Sequence, residues 1–260
     1  MTGHISRERI KLVSCLGVSR KEHFSRAFLP HFVGHYLGLG IKPENFLITL
    51  CAPRRGEEIE WAENALAQYG IGVSHHLIKE YDCYDFYRSD FELMSRCPDD
   101  DWIVLVDYDE LVEFPASLPA FAHQLEQREC NAAGGVLVDR FAEHYHLAEI
   151  KEGPPIWDQF PIQARFTKDV VRGFDGKICL FRNYIEVNLG HHAVVGTRRE
   201  PTKFSHHRLR VHHFKWDSTL EPKLRMRREQ FKADIERYHW HEEPDRILEL
   251  LNDGRIEFRK

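Results

Sequence analysis

The run Trp102-Ile-Val-Leu-Val-Asp-Tyr-Asp-Glu110 constrains this chain more than any other segment. Its four consecutive apolar residues, 103–106, predict a short buried strand. Two carboxylates follow, two positions apart. Residues i and i+2 of a strand point to the same side, so Asp107 and Asp109 are expected to present oxygens to one point. Two close carboxylates repel each other and lose hydration, which a hard divalent cation between them offsets. In open α/β sheets, ligands bind just beyond the carboxyl ends of strands, where this pair lies. A lone Asp-x-Asp fits a solvated acidic turn equally well, so the surrounding pattern has to decide.

That pattern alternates strand-like and helix-like segments. Residues 11–18, 46–51 and 73–78 predict strands. Residues 24–39 carry apolar side chains at four-residue spacing, a helical face disturbed near Pro30. Helices are also expected over 56–69, which has an acidic first turn, and over 84–96. After the Asp-x-Asp strand come a helix at 118–128 and a strand at 135–139. Strands alternating with helices of this length imply crossover units, hence an α/β fold with a mixed, mostly parallel, Rossmann-like sheet flanked by helices. Residues 142–161 are irregular and aromatic, which in a compact domain marks a functional loop. Residues 178–182 and 185–189 predict a short hairpin. The tail is helical over 220–238 and 244–251, the first of these basic (Lys223, Arg225, Arg227, Arg228, Lys232). It reads as a solvated face, an attachment to anionic lipid, or a set of phosphate contacts. Residues 1–216 are expected to form one domain and 217–260 a helical extension packed on it.

Composition narrows the function classes. With 42% apolar and 30% charged residues, the chain has the balance of a soluble globular protein. A net charge of -5 gives no support for nucleic-acid binding. Six scattered cysteines without a Cys-x-x-Cys pair argue against a zinc site or a disulfide scaffold and suit a reducing cytoplasm. No apolar run reaches the roughly 18 residues of a membrane span, and the N-terminus lacks a signal-peptide core. A cytoplasmic protein is expected, with peripheral contact to the inner face of a membrane left open. No Gly-x-Gly-x-x-Gly and no Walker-type Gly-Lys-Ser/Thr occurs, which removes the usual dinucleotide and P-loop readings.

With those residues in place, the chain resembles nucleotide-sugar glycosyltransferases of the GT-A fold, of the family-2-like and family-92-like kind with an Asp-x-Asp-Glu-Phe motif. Here the motif reads Asp107-Tyr108-Asp109-Glu110-Leu111, with Leu for the common Phe. Val18-Ser-Arg-Lys-Glu22 looks like the family's strand-end Asn-Glu loop, with Lys21 where Asn is usual. Phe28 to Gly40 is similar to the helix that runs into Leu-Gly before the second strand. Gly176-Lys177-Ile178 with Arg182, then Gly190-His191-His192, then His213-Phe214-Lys215-Trp216 follow in the family's order. The likeness spans residues 10–230. It departs at Cys51-Ala-Pro-Arg-Arg-Gly-Glu, where relatives carry an Asp- and Ser-rich turn near the nucleotide.

The resemblance implies a metal-dependent, inverting transfer of a sugar from a nucleoside diphosphate sugar, with UDP as the expected nucleotide, to a hydroxyl of a glycan or lipid-linked acceptor. Bacterial surface polysaccharide or glycoconjugate synthesis is the setting it suggests. Mn²⁺ or Mg²⁺ would neutralise the leaving diphosphate. The metal ligands implied are Asp109, Asp107 and His213, and the donor contacts are Asp107, Glu22, Lys177 and His192. An inverting transferase also needs a base for the acceptor proton. Asp158, beside Trp157 in the irregular segment, is the first candidate, with Glu143 and Glu200 behind it. Trp157 is a candidate sugar platform. Two rivals stand beside this reading. A haloacid-dehalogenase-like phosphohydrolase also uses a strand followed by Asp-x-Asp, although Leu111 and the motif's place past residue 100 count against it. A GT-A module that only binds a glycan or a protein is the other.

Overall fold

The computed structural model describes residues 9–19, 26–238 and 240–252. The first strand, β1 (Ile10–Gly17), sits between β2 (Phe46–Ala52) and β4 (Trp102–Leu105), parallel to both, with β3 (Val73–Ile78) parallel beyond β2. Crossover helices α1 (Leu29–Gly38), α2 (Glu57–Ala67) and α3 (Cys83–Ser95) link these strands. Strand β4 is apolar throughout and fully buried, as its sequence predicts. Pro30 falls in the first turn of α1, where its missing N–H costs nothing, so it starts this helix instead of disturbing it.

Beyond β4 the sheet becomes mixed. β5 (Glu110–Glu113) follows the acidic turn, and α4 (Leu118–Gln127) leads to the long β6 (Ala132–Phe141). Two short elements, α5 (Ile156–Gln159) and β7 (Ile162–Ala164), lie at the end of and just after the stretch that reads as irregular; α6 (Phe166–Asp169) follows. β8 (Gly176–Arg182) runs antiparallel between β4 and β6, and β11 (Leu209–His213) runs parallel to β6 and antiparallel to β5. The nine-stranded sheet has the order β3-β2-β1-β4-β8-β6-β11-β5, with β7 on β6. The expected α/β class, a mixed sheet with parallel crossover units flanked by helices and a helical tail, is what the structure shows.

The predicted hairpin takes a different form. β9 (Ile185–Val187) pairs not with β8 but with β10 (Val194–Thr197), in a separate two-stranded sheet. Asn183 sets the departure point: its side-chain amide donates to the carbonyls of Met94 and Cys97 at 3.0 and 2.8 Å. The turn after β8 is thereby tied to the end of α3.

Helices α7 (Leu220–Ala233) and α8 (Glu243–Asn252) pack through Leu220, Leu224, Ile247 and Leu248 onto Phe141, Phe166 and Trp216. The Trp216 ring stacks on Phe141 with centroids 5.2 Å apart. Among the described residues, no helix is long and apolar enough to cross a membrane.

Candidate functional site

Strand β4 stops at Leu105, and Asp107-Tyr108-Asp109 forms a turn into β5. The strand alternation expected to align the two carboxylates is therefore absent. A turn does the positioning: the Glu110 N–H donates to the Asp107 carbonyl at 3.1 Å, and the Asp107 N–H donates back to Glu110 Oε2 at 3.3 Å. Tyr108 points inward, its ring edge-on to Phe28 at 5.4 Å, which leaves Asp107 and Asp109 on the open side. The Tyr36 hydroxyl fixes β5 from α1, donating to the Glu110 carbonyl and accepting from the Val112 N–H.

Sheet register then delivers a histidine. His213 pairs with Glu110 on one side and with Asp139 on the other. Asp139 is fully buried and accepts hydrogen bonds from His213 Nδ1 at 3.1 Å, Trp216 Nε1 at 2.8 Å, and the Thr167 N–H and hydroxyl at 2.6 and 2.8 Å. Burial pushes its carboxyl up, but His213 and the other donors outweigh that and hold it down at about 2. With Nδ1 engaged, His213 turns Nε2 toward Asp109, 3.8 Å from its Oδ2. That is too long for a hydrogen bond. Two ligands each about 2.1 Å from one ion lie roughly 3–4 Å apart, so the separation suits a shared cation. A carboxylate behind a metal-binding imidazole is the usual means of fixing its tautomer and orientation.

Lys177 occupies the other side of the turn. Its buried ammonium donates to Asp107 Oδ2 at 2.6 Å and lies 2.7 Å from Glu110 Oε1. Burial alone would lower this amine, but Asp107 and Glu110 hold it well above its ordinary range, so it stays charged. Burial likewise works to raise Asp107, and Lys177 overrides it to keep that carboxylate ionised. Asp107, Glu110 and His191 each offer a ligand atom, all within 4.8 Å of one another, so this trio too could hold a metal ion. Lys177 already supplies a positive charge to two of the three. Burial drives the His191 imidazole down to about 3, so it is neutral.

These groups open on a cavity of about 610 Å³, within the range of small-molecule sites. It is lined by acidic side chains, among them Asp107, Asp109, Asp217 and Asp90, and by basic ones, among them Lys215, Lys223, Arg227 and Arg246. Lys223 and Arg227, one helical turn apart on α7, face inward, so part of the basic helix lines a cavity and is not a purely solvated face. A shallower groove of about 360 Å³ shares Lys177, His192 and Phe174 with this cavity.

No protein-family model and no curated protein sequence matches this chain. Among solved structures it is similar to one described as the crystal structure of 4-diphosphocytidyl-2C-methyl-D-erythritol synthase, at 16% identity and a TM-score of 0.34. That alignment covers 69% of this chain and 76% of the other.

Of the residues singled out from sequence, Asp107, Asp109, Lys177, His192 and His213 all line the cavity. His192 is anchored by a hydrogen bond between Nδ1 and the Gly176 carbonyl at 2.7 Å. Glu22 lies outside the described residues. Asp158 is exposed on α5 and does not line the cavity; nor do Glu143 and Glu200, whose carboxylate accepts from Tyr184. Trp157 packs against His212 and Phe214 and under the Arg140 guanidinium, 36% exposed. Sequence reasoning gave no role to Asp139, Asp90 or His191. Asp139 carried a faint signal, a lone acid closing the apolar strand at 135–139. His191 sits at φ 51° after Gly190 at φ 73°, a strained loop that residue types alone do not reveal.

Proposed function

We propose that the chain is a metal-dependent transferase acting on a nucleoside diphosphate sugar, of the GT-A glycosyltransferase kind. The observation that carries this reading is that Asp109 and the Asp139-held His213 line one cavity together with Lys223 and Arg227. A diphosphate suits both sets of groups: its oxygens complete a metal's coordination and pair with ammonium and guanidinium groups.

Asp109 and His213 would hold the ion, with the exposed edge of Asp107 as a third contact. Carboxylates with one imidazole suit Mn²⁺ and Mg²⁺, Mn²⁺ being the more tolerant of nitrogen. Bound there, the ion would supply charge neutralisation to a departing diphosphate. Lys177 keeps Asp107 ionised and holds it and Glu110 in place, and α7 brings Lys223 and Arg227 to the phosphate oxygens. The shallower groove beside His192 and Phe174 is the proposed acceptor side, where a glycan or lipid-linked hydroxyl would approach. Asp158 has no part in donor binding; a role as base requires the acceptor to reach α5.

Substitution Asp109→Asn tests the assignment. Mn²⁺ should raise the melting temperature of the wild-type chain in the presence of UDP or UDP-sugars and leave that of the variant unchanged, while the two apo proteins melt within about 2 °C of each other. An equal metal-dependent shift in the variant removes Asp109 as a ligand.

A further inference from the structure

The shallower groove carries a surface that the large cavity does not use. Phe174 and Phe204 border it at 60% and 42% exposure, and large apolar groups left open together in a groove mark a contact surface. Each ring lies against a residue without a side chain. A Cβ on Gly176 would sit 2.9 Å from Phe174 Cε1, and one on Gly134 3.9 Å from Phe204 Cε1. The two glycines are diagonal neighbours on the β6–β8 ladder, roughly 7–8 Å apart, so the rings flank one strip of glycine backbone. Phe174 also meets the His192 ring edge-on at 5.2 Å, and these two residues border the large cavity as well.

The charged part of the groove has one sign. None of the described residues lining it is acidic, although the chain's net charge is -5. His207 is engaged by Arg128 at 3.1 Å, and the Lys177 ammonium is taken up by Asp107 and Glu110. The exposed side chains of His206 and Arg208 make no hydrogen bond or ion pair among the described residues. A ligand for this groove must therefore cover two phenyl faces and bring a negative charge to a guanidinium. A lipid tail needs a continuous apolar trough, which the glycines and Ser205, His206 and Arg208 interrupt. A sugar chain fits, because a pyranose turns a face of C–H groups to an aromatic ring and keeps its hydroxyls for water. Arg208 offers one permanent charge on a bidentate edge, which a carboxylate matches; a phosphate monoester would bring about two charges. We infer that the groove binds an acidic oligosaccharide, its sugars laid on Phe174 and Phe204 and a uronate carboxylate against Arg208, and that this chain is the acceptor. The acceptor role rests on the nucleotide-sugar reading above; the binding of an acidic glycan stands apart from it.

Calorimetric titration of the wild-type chain with oligogalacturonate and oligomannuronate tetrasaccharides, and with neutral maltotetraose, tests the inference. At least one acidic tetrasaccharide should bind about tenfold or more tightly than the neutral one, as expected for a charge-assisted hydrogen bond. Arg208→Gln should abolish that preference, and Phe174→Ala and Phe204→Ala should each weaken binding about three- to tenfold. Phe204 and Arg208 do not line the large cavity. Phe204→Ala and Arg208→Gln should therefore bind UDP in Mn²⁺ as the wild type does and melt within about 2 °C of it. Equal binding of acidic and neutral chains overturns the inference, as does an acidic preference that survives in Arg208→Gln or binding unaffected by both Phe substitutions. So does binding to phosphatidylglycerol vesicles, lost in the Phe174→Ala and Phe204→Ala double variant, by a chain that takes up no acidic tetrasaccharide. A wild type that binds the acidic chain but no UDP keeps the glycan site and removes the nucleotide-sugar reading; one that binds UDP but no acidic chain removes only the site inferred from the groove.

Discussion

His213 acquires its meaning from one atom of another residue. Without Asp139 its ring would be free to flip or to donate from either nitrogen; with Nδ1 held, only Nε2 faces Asp109. Replacing Asp139 with Ala strands the donors of His213, Trp216 and Thr167 in a fully buried place. The expected loss is about 3 kcal/mol or more, measured by urea unfolding. At this scale the sequence was legible where chemistry follows residue type. Asp107, Asp109, Lys177 and His213 stand out in the sequence as polar groups within an ordered set of motifs, and the fold brings them to one cavity. Asp139 and Asp90 do not stand out, since a single acid in a strand or helix looks the same whether it ends up in solvent, in a network or against a ligand. The Lys177 bridge was invisible for a related reason: the two partners are 70 positions apart, and only the pairing of β8 with β4 and β6 brings them together.

At the level of elements, the site is held by registers. Strand β6 lies close to both β8 and β11 because Gly135 has no side chain. A Cβ there would sit 2.8 Å from the Leu209 carbonyl oxygen and 3.1 Å from Cys179 Sγ. Gly135→Ala should therefore destabilise the protein by about 1–3 kcal/mol and weaken metal binding with it, since β11 carries His213. Thermal unfolding beside a metal titration would show both effects. Helix α3 is anchored at its start by Asp82, which accepts from the amides of Tyr84 and Asp85 and from Arg237 and the Tyr238 hydroxyl beyond α7. Burial works to raise the Asp82 carboxyl, but Tyr238 and these amides outweigh it and hold it below the ordinary value. An unfolded aspartate titrates near pH ~3.9. The stabilisation is thus complete above about pH 5 and is lost as pH falls through ~4 toward the lower folded value. Asp82→Ala should cost about 1 kcal/mol at pH 7 and flatten the acid limb of the stability profile between about pH 5 and 3. A variant whose acid limb matched the wild type would remove Asp82 from that account. The strands and helices themselves were readable from periodicity. The pairing of β9 with β10, and the turn in place of a strand at Asp107-Tyr108-Asp109, were not, because both depend on contacts made by distant residues such as Asn183 and Tyr36.

Across the whole molecule, the cavity gathers the acids of the Asp-Tyr-Asp turn after β4 and three bases of the C-terminal helices, Lys223, Arg227 and Arg246. Lys223, Arg227 and Arg246 belong to α7 and α8, which pack through Trp216 on Phe141 of β6. Neither set of groups alone would bind a metal diphosphate well: the carboxylates repel phosphate, and the ammonium and guanidinium groups repel the ion. Metal and nucleotide should consequently bind with strong mutual dependence, each raising the affinity of the other by the same factor. Calorimetric titration of UDP into the wild-type chain, with Mn²⁺ and then with the metal chelated, measures that dependence directly. Binding that is present with Mn²⁺ and at least about tenfold weaker without it is the predicted result. A folded protein that binds UDP equally with and without the metal, or in neither case, would contradict a metal-diphosphate site in this cavity.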